Sequence, residues 1–242
     1  MLDPSPIHRI SRRLISSTLL AAALLAAGCR TTAEAPVPTP ADTRDPARIA
    51  TDAPKAVRSR GGVVVSATGI ASRIGRDVLA SGGNAVDAAI ATGFALAVTH
   101  PTAGNIGGGG FMVIRFPDGR TTTFNFREKA PLRAHPEMFL DSAGKYSSRI
   151  HHDSHLAVGV PGTVAGFALA HERYGSKPWR ELVEPAVRLA RDGFPVMPGL
   201  ARSLRAVLPS MQRYPASVAA FSKNGTPYEP GEIWKQPDLA RT

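Results

Sequence analysis

The sequence predicts a mixed α+β fold. Segments 70–79, 85–98, 162–174, 179–191 and 200–211 carry their apolar residues as helices do. Two shorter runs, 111–116 and 121–126, flank a Pro117-Asp118-Gly119 turn in the manner of hairpin strands. With 242 residues, 43% of them apolar, the chain can bury the core of one globular domain with short appendages.

Composition removes several functions at the outset. The 29 Lys+Arg exceed the 19 Asp+Glu and give a net charge of +10, but the arginines are scattered rather than gathered into phosphate-gripping blocks. Aromatic residues make up only 6% of the chain, too few for base-stacking platforms, so no nucleic-acid partner is expected. The single cysteine excludes an intrachain disulfide framework and a Cys-rich zinc site.

That cysteine closes an export signal. Arg9, Arg12 and Arg13 precede an apolar run, Leu14 to Ala27, which is too short and too Ala-rich for a membrane span, and Gly28-Cys29 follows. Small residues before a lone cysteine resemble a bacterial lipoprotein signal, in which the cysteine is lipidated and becomes the new amino terminus, although Ala26 stands where that pattern usually has Leu. The other reading is an ordinary secretory signal cut near Ala27. On the lipoprotein reading residues 1–29 are the signal, and the mature protein sits in the bacterial periplasm or cell envelope, tied to the membrane through Cys29. Residues 30–60, with Pro36, Pro38, Pro40, Pro46 and Pro54 and no apolar period, read as a disordered tether.

Regular structure is expected from Gly61-Gly62, with Val63-Val64-Val65 as a short buried strand. Ile70, Ala71, Ile74, Val78 and Leu79 then follow at helical spacing, and Ser81-Gly82-Gly83 offers a glycine for the left-handed C-cap. Asn84 is an N-cap residue with Asp87 in the first turn of the next helix, and Ala85 to Val98 is apolar on nearly every face, as a helix buried inside a larger fold must be.

Gly107 to Gly110 give up backbone entropy for conformations or contacts that side chains forbid. A phosphate cradle is one reading, but no Walker Lys-Ser/Thr follows and a strand, not a helix, comes next. Close passage beside another backbone fits better. In the hairpin, Thr122, Phe124 and Phe126 share one face while Thr121, Thr123 and Asn125 share the other. Arg127 ends the second strand and Glu128 to Pro131 stop the pairing, because Pro131 has no N–H to give a ladder. An arginine there can hold a carboxylate through two parallel hydrogen bonds, but the residues alone favour a surface pair with Glu128.

The remainder is mainly helical. Val164, Phe167, Ala168 and His171 are expected to share one face of the 162–174 helix, which Gly175 closes. Leu182, Val183, Ala186, Val187, Leu189 and Ala190 do the same over 179–191 before Asp192-Gly193. His151, His152 and His155 with Asp153 suggest a metal cluster, yet their spacing is not that of a recognised ligand set, and no metal site is assigned.

Several motifs in order carry a family resemblance. Gly82-Gly83-Asn84-Ala85-Val86-Asp87-Ala88-Ala89, Thr99-His100-Pro101, Gly104 to Met112, Phe126-Arg127-Glu128-Lys129-Ala130-Pro131, Gly159 to Gly166 and Leu189 to Phe194 are similar to the amino-terminal half of the gamma-glutamyltransferases, also called gamma-glutamyl transpeptidases or glutathione hydrolases. The resemblance spans residues 61–242. It implies an Ntn-hydrolase fold, a four-layer αββα sandwich built from a precursor that cuts itself into a large and a small subunit. It also implies an amino-terminal Thr nucleophile that attacks the γ-glutamyl amide of glutathione and passes the acyl group from an ester to water or an amino acid, with no cofactor. A free α-amine can act as base for its own hydroxyl.

Of the functional residues that the resemblance implies, only Arg127 is carried over, as the contact to the α-carboxylate of the γ-glutamyl group. Neither Thr242 nor Thr121 to Thr123 stands in a Thr-Thr-His-type processing motif, so no catalytic residue is assigned and the 242-residue chain by itself is expected to be inactive. Two alternatives stay open: an amidase of the cephalosporin-acylase type on the same fold, and a catalytically dead, truncated surface lipoprotein.

Overall fold

The computed structural model describes residues 59–242, so the export signal, Cys29 and nearly all of the tether lie outside the described residues. Helix α1 (Gly69–Ala80) begins at Thr68, whose side chain accepts from Ala71 N–H, and ends in a Schellman turn. There Gly83 N–H reaches Val78 C=O, Gly82 N–H reaches Leu79 C=O, and Gly82 takes φ +89°, where a Cβ would be strained.

Helix α2 (Ala85–Thr99) follows at once through a capping box: Asn84 accepts from the Val86 and Asp87 N–H groups while Asp87 accepts from Asn84 N–H. Eleven of its fifteen residues are buried, as its unbroken apolar run predicts. The two helices lie close enough that Gly75 has no room for a Cβ beside Thr92 and the Ala88 carbonyl. The Thr68 and Thr99 hydroxyls, 2.9 Å apart, tie the start of one to the end of the other.

Strands β1 (Phe111–Arg115) and β2 (Thr121–Asn125) form the expected antiparallel hairpin, Phe111 opposite Asn125 and Arg115 opposite Thr121. Gly119 turns the chain at φ +88°. Met112, Ile114, Phe124 and Phe126 face the core, whereas Phe111, Val113, Thr121, Thr123 and Asn125 face outward. A short helix α3 (Ser148–Asp153) and a 3₁₀ turn (His155–Ala157) lead into α4 (Thr163–Tyr174) and α5 (Trp179–Asp192). Leu182, Ala186 and Ala190 recur every four residues on α5 and are buried.

The last part is small elements around one indole. Strand β3 (Phe194–Pro195) pairs with β4 (Ile233–Trp234), and α6 (Pro198–Met211), α7 (Pro215–Phe221) and α8 (Pro237–Arg241) complete the order. Trp234 is buried among Phe194, Phe221 and Tyr228 with ring centroids 5.8–5.9 Å away, and its Nε1–H donates to Ala220 C=O.

Three expectations are corrected. Val63 to Val65 form no strand among the described residues; nothing there pairs with their backbone, and Val63 and Val65 point away from the core while Val64 packs on it. On α4 the buried stripe is Thr163, Gly166 and Ala170, with Phe167 and His171 half-buried beside it, whereas Val164 and Ala168 face outward. The helix is set by where Gly166 can touch Phe126 rather than by its most apolar side chains. Pairing also does not stop before Pro131: Lys129 changes partner and forms both backbone bonds with Val160.

Asp87 does more than cap. Fully buried, it also accepts from Ser176 N–H at 3.0 Å, Ser176 Oγ–H at 2.5 Å and Lys177 N–H, while Asn84 Nδ2 donates to Tyr174 C=O, so the start of α2 is clamped to the chain leaving α4. Burial pushes its carboxyl up, but the Ser176 hydroxyl and the Asn84, Ser176 and Lys177 N–H groups outweigh it and hold the carboxyl below the ordinary range. With the folded pKa depressed, the contribution is complete above an unfolded aspartate's value of about 4 and is lost as pH falls through the folded value. Asp87→Asn is expected to lower stability at neutral pH by about 2–3 kcal/mol in urea unfolding. The same variant should lose less of its remaining stability on acidification than the wild type does.

Candidate functional site

Arg127 is placed by backbone contacts before any side chain is considered. Gly109 passes so close to the start of the Phe126-Arg127-Glu128 segment that a Cβ on it would lie 2.6 Å from the Phe126 carbonyl and 2.8 Å from both Arg127 Cα and Glu128 N. Gly162 crosses the same carbonyl from α4's N-terminal side, and Gly166 lies flat on the Phe126 ring; neither has space for a Cβ. The glycine loop is therefore a close crossing of chains, which is what its strand-first order favours over a phosphate cradle.

The crossing is held by a compact set of hydrogen bonds. Gly108 C=O accepts from Gly162 N–H at 2.8 Å and Thr163 N–H at 3.1 Å. Asn105 Oδ1 accepts from Gly108 N–H at 2.9 Å and from the buried Thr163 hydroxyl at 2.6 Å. Phe126 N–H donates to Gly110 C=O, and Lys129 and Val160 exchange bonds of 3.1 and 2.8 Å on the far side. Behind Phe126 a series of edge-to-face rings, Phe126–Phe167, Phe167–Phe94 and Phe94–Trp179, with centroids 5.4–5.7 Å apart, runs back into the core.

The Arg127 side chain lies at the surface, 62% exposed, and its Nε–H donates to Glu128 Oε2 at 2.9 Å, the pair that the residues alone favour. Glu128's own N–H, together with the Arg127 guanidinium and Gly109 N–H, holds its carboxyl below the ordinary range against mild desolvation. The pair uses only Nε. Among the described residues neither Nη of Arg127 has a hydrogen-bond partner, so the end of the guanidinium, whose two Nη groups can take a carboxylate end-on, is open. Arg127 and its partner Glu128 line an open cleft of about 510 Å3 with Gly107, Lys129, Met138, Phe139, Leu156 and Val158 among the other lining residues.

His151, His152 and His155 do not form a ligand set. His151 stacks between Phe139 and His152 and its Nδ1 lies 2.8 Å from Tyr146 Oη, and no group of three or more metal-ligating side chains occurs among the described residues. Thr121 and Thr123 lie within β2, mid-chain and exposed. Cys29 lies outside the described residues. Sequence reasoning missed the Asn105–Thr163 link and the Lys129–Val160 bridge, both of which join positions that no local period relates.

The class of fold follows from solved structures. The chain superposes with a TM-score of 0.74 on the gamma-glutamyltranspeptidase of Helicobacter pylori, at 43% identity over 77% of this chain and 54% of that one, which gives it the α+β fold of the Ntn-hydrolase class. A cephalosporin acylase from Bacillus halodurans is more distant, with a TM-score of 0.62 and 28% identity over 78% of this chain and 38% of that one. The gamma-glutamyltranspeptidase family model matches residues 71–242, and the glutathione hydrolase proenzyme of Escherichia coli K12 is 47% identical over the whole of this chain and 40% of its own length. The chain belongs to the gamma-glutamyltranspeptidase family and spans about two-fifths of that relative.

The glycines separate by position. Gly109→Ala should cost about 1–3 kcal/mol through overpacking against backbone that cannot yield, whereas at Gly107, where a Cβ meets nothing within 4 Å, the same change should cost about 0.5 kcal/mol or less. Thermal melting of the two variants checks the contrast.

Proposed function

We propose that these residues form the donor-carboxylate end of a γ-glutamyl-transferring glutathione hydrolase, with Arg127 holding the α-carboxylate of the γ-glutamyl group. The observation that supports it is the half-used guanidinium: Glu128 takes Nε, and neither Nη has a partner among the described residues, on a side chain that lines the cleft. Chemistry then proceeds on a bound donor. A Thr Oγ attacks the γ-carbonyl, the C–N bond breaks, the released amine takes the proton that the Thr α-amine drew from the hydroxyl, and water or an amino-acid amine cleaves the resulting ester. That Thr belongs to a small subunit cut from the same precursor.

Support for that second subunit comes from the outward face of the β1–β2 hairpin. Phe111 and Val113 are 65% and 73% exposed there, opposite Asn125 and Thr123 on the partner strand, and these two exposed apolar side chains on a sheet face are what a second layer would cover. The cephalosporin-acylase reading has the weaker likeness and no observation of its own in its favour. Export and anchoring rest on the sequence: residues 1–29 form the lipoprotein signal, Cys29 carries the lipid and the enzyme works at the cell envelope.

In the full-length precursor, Arg127→Ala should raise KM for γ-glutamyl donors strongly, since truncating one partner of a charged pair that the bound donor and the small subunit bury costs about 2–5 kcal/mol, and Arg127→Lys should recover part of the loss. Self-cleavage should survive, because it involves no substrate carboxylate; the 242-residue polypeptide assayed beside it should show no turnover. A KM within twofold of wild type together with blocked processing would instead make Arg127 a folding residue. For the anchor, Cys29→Ala should abolish metabolic palmitate labelling, and a variant that keeps its label would exclude lipidation at that position.

A further inference from the structure

A second cation stands in the Arg127 cleft, and the donor-binding role gives it no task. Lys129 follows Arg127 by two positions, the spacing at which extended chain returns side chains to the same side, and both residues line the 510 Å3 cleft and the neighbouring one of about 270 Å3. Its backbone is fixed in both directions by Val160, so the stem leaves from a defined point. Its ammonium has no ion-pair partner among the described residues, whereas Arg127 is matched by Glu128. The far wall, Met138, Phe139, Leu156 and Val158, offers no charge, and the one acid of the lining, Glu128, is taken by Arg127.

We infer that Lys129 is a specificity-determining residue that meets a second carboxylate, on the leaving-group side of the donor, so that the site prefers γ-glutamyl compounds whose leaving amine bears a carboxylate over those whose leaving amine is uncharged. This rests on Arg127 holding the α-carboxylate: a donor pinned at one anion extends its amide away from that point, and a flexible four-carbon ammonium two residues along can sweep the space where the other end lies. The contact is solvent-exposed and therefore modest. Its strength is that of a surface ion pair, and salt should weaken it.

Two chromogenic donors with one leaving-group scaffold make the test, γ-glutamyl para-nitroanilide and its ring-carboxylated derivative, assayed with the full-length processed enzyme. Lys129→Gln is expected to raise KM for the carboxylated donor about threefold to fivefold and for the neutral donor less than twofold, at low salt. Lys129→Glu should widen the gap beyond tenfold, Lys129→Arg should restore the wild-type ratio, and about 0.5 M salt should shrink the wild-type preference. Equal shifts for both donors, or none in either, would overturn the assignment. Arg127→Ala keeps the two ideas apart: it should raise KM for both donors alike. If it does so while Lys129→Gln does not discriminate, only the Lys129 role fails; if it moves neither donor, the carboxylate site itself fails and the Lys129 role goes with it.

Discussion

Three glycines converge on one carbonyl and one ring. Gly109 and Gly162 approach the Phe126 carbonyl from different segments, and Gly166 takes the ring, so the backbone that carries Arg127 is enclosed by chain that has no side chain to shift. Packing of that kind is stiff: each neighbour is itself bonded, through Gly108 C=O, Asn105 Oδ1 and Thr163, and a displacement at one point must break another. An arginine side chain is long and rich in rotamers, and its ability to select a carboxylate depends on where its stem begins. Here the stem begins at a fixed place, and Glu128 then removes freedom about Nε. The placement of the Arg127 stem at the surface is thus prepared by contacts in the interior.

The core delivers that rigidity to the site along two routes. The ring series from Trp179 through Phe94 and Phe167 ends on Phe126 itself. The second route is polar and starts at Asp87, whose carboxylate joins the beginning of α2 to the turn after α4, the same helix whose N-terminal end packs on Phe126. A buried carboxylate is tolerated because four donors surround it, and it would be costly to leave any of them unmatched. Helix α4 is therefore held at both ends, by Asp87 near its exit and by Gly108 at its entry.

Local rules make much of this readable in advance. Asn84 with Asp87, the glycine after Ser81, the Pro117-Asp118-Gly119 turn and the two faces of the hairpin are decided by groups within a few residues of one another. The close passage at the glycine loop is legible as a class of contact, though not which backbone it meets. Failures share one cause, dependence on a distant partner. Val63 to Val65 have strand composition but no strand to pair with among the described residues; Val164 and Ala168 are apolar but lose the core face to glycine; Asp87 is bonded to Ser176, 89 positions away. At the site, the Arg127–Glu128 pair is predictable from adjacency, and both of its readings fit one geometry, since the pair occupies Nε and leaves the Nη edge.

The proposed coupling between Arg127 and a donor's α-carboxylate is best measured as a thermodynamic cycle by calorimetry on the product of the full-length precursor. Glutamate and 4-aminobutyrate, which is the same chain without its α-carboxylate, are titrated into a form whose reaction is blocked, with Arg127 intact and with Arg127→Ala. Glutamate α-amide, which keeps the bulk of the group and loses its charge, is the third ligand. A pair that meets directly should show an interaction energy of about 2–5 kcal/mol, with Arg127→Ala weakening glutamate and leaving the two ligands without an α-carboxylate unchanged. Equal losses for all three ligands would contradict it, and would mean that Arg127 supports the shape of the cleft without touching the donor.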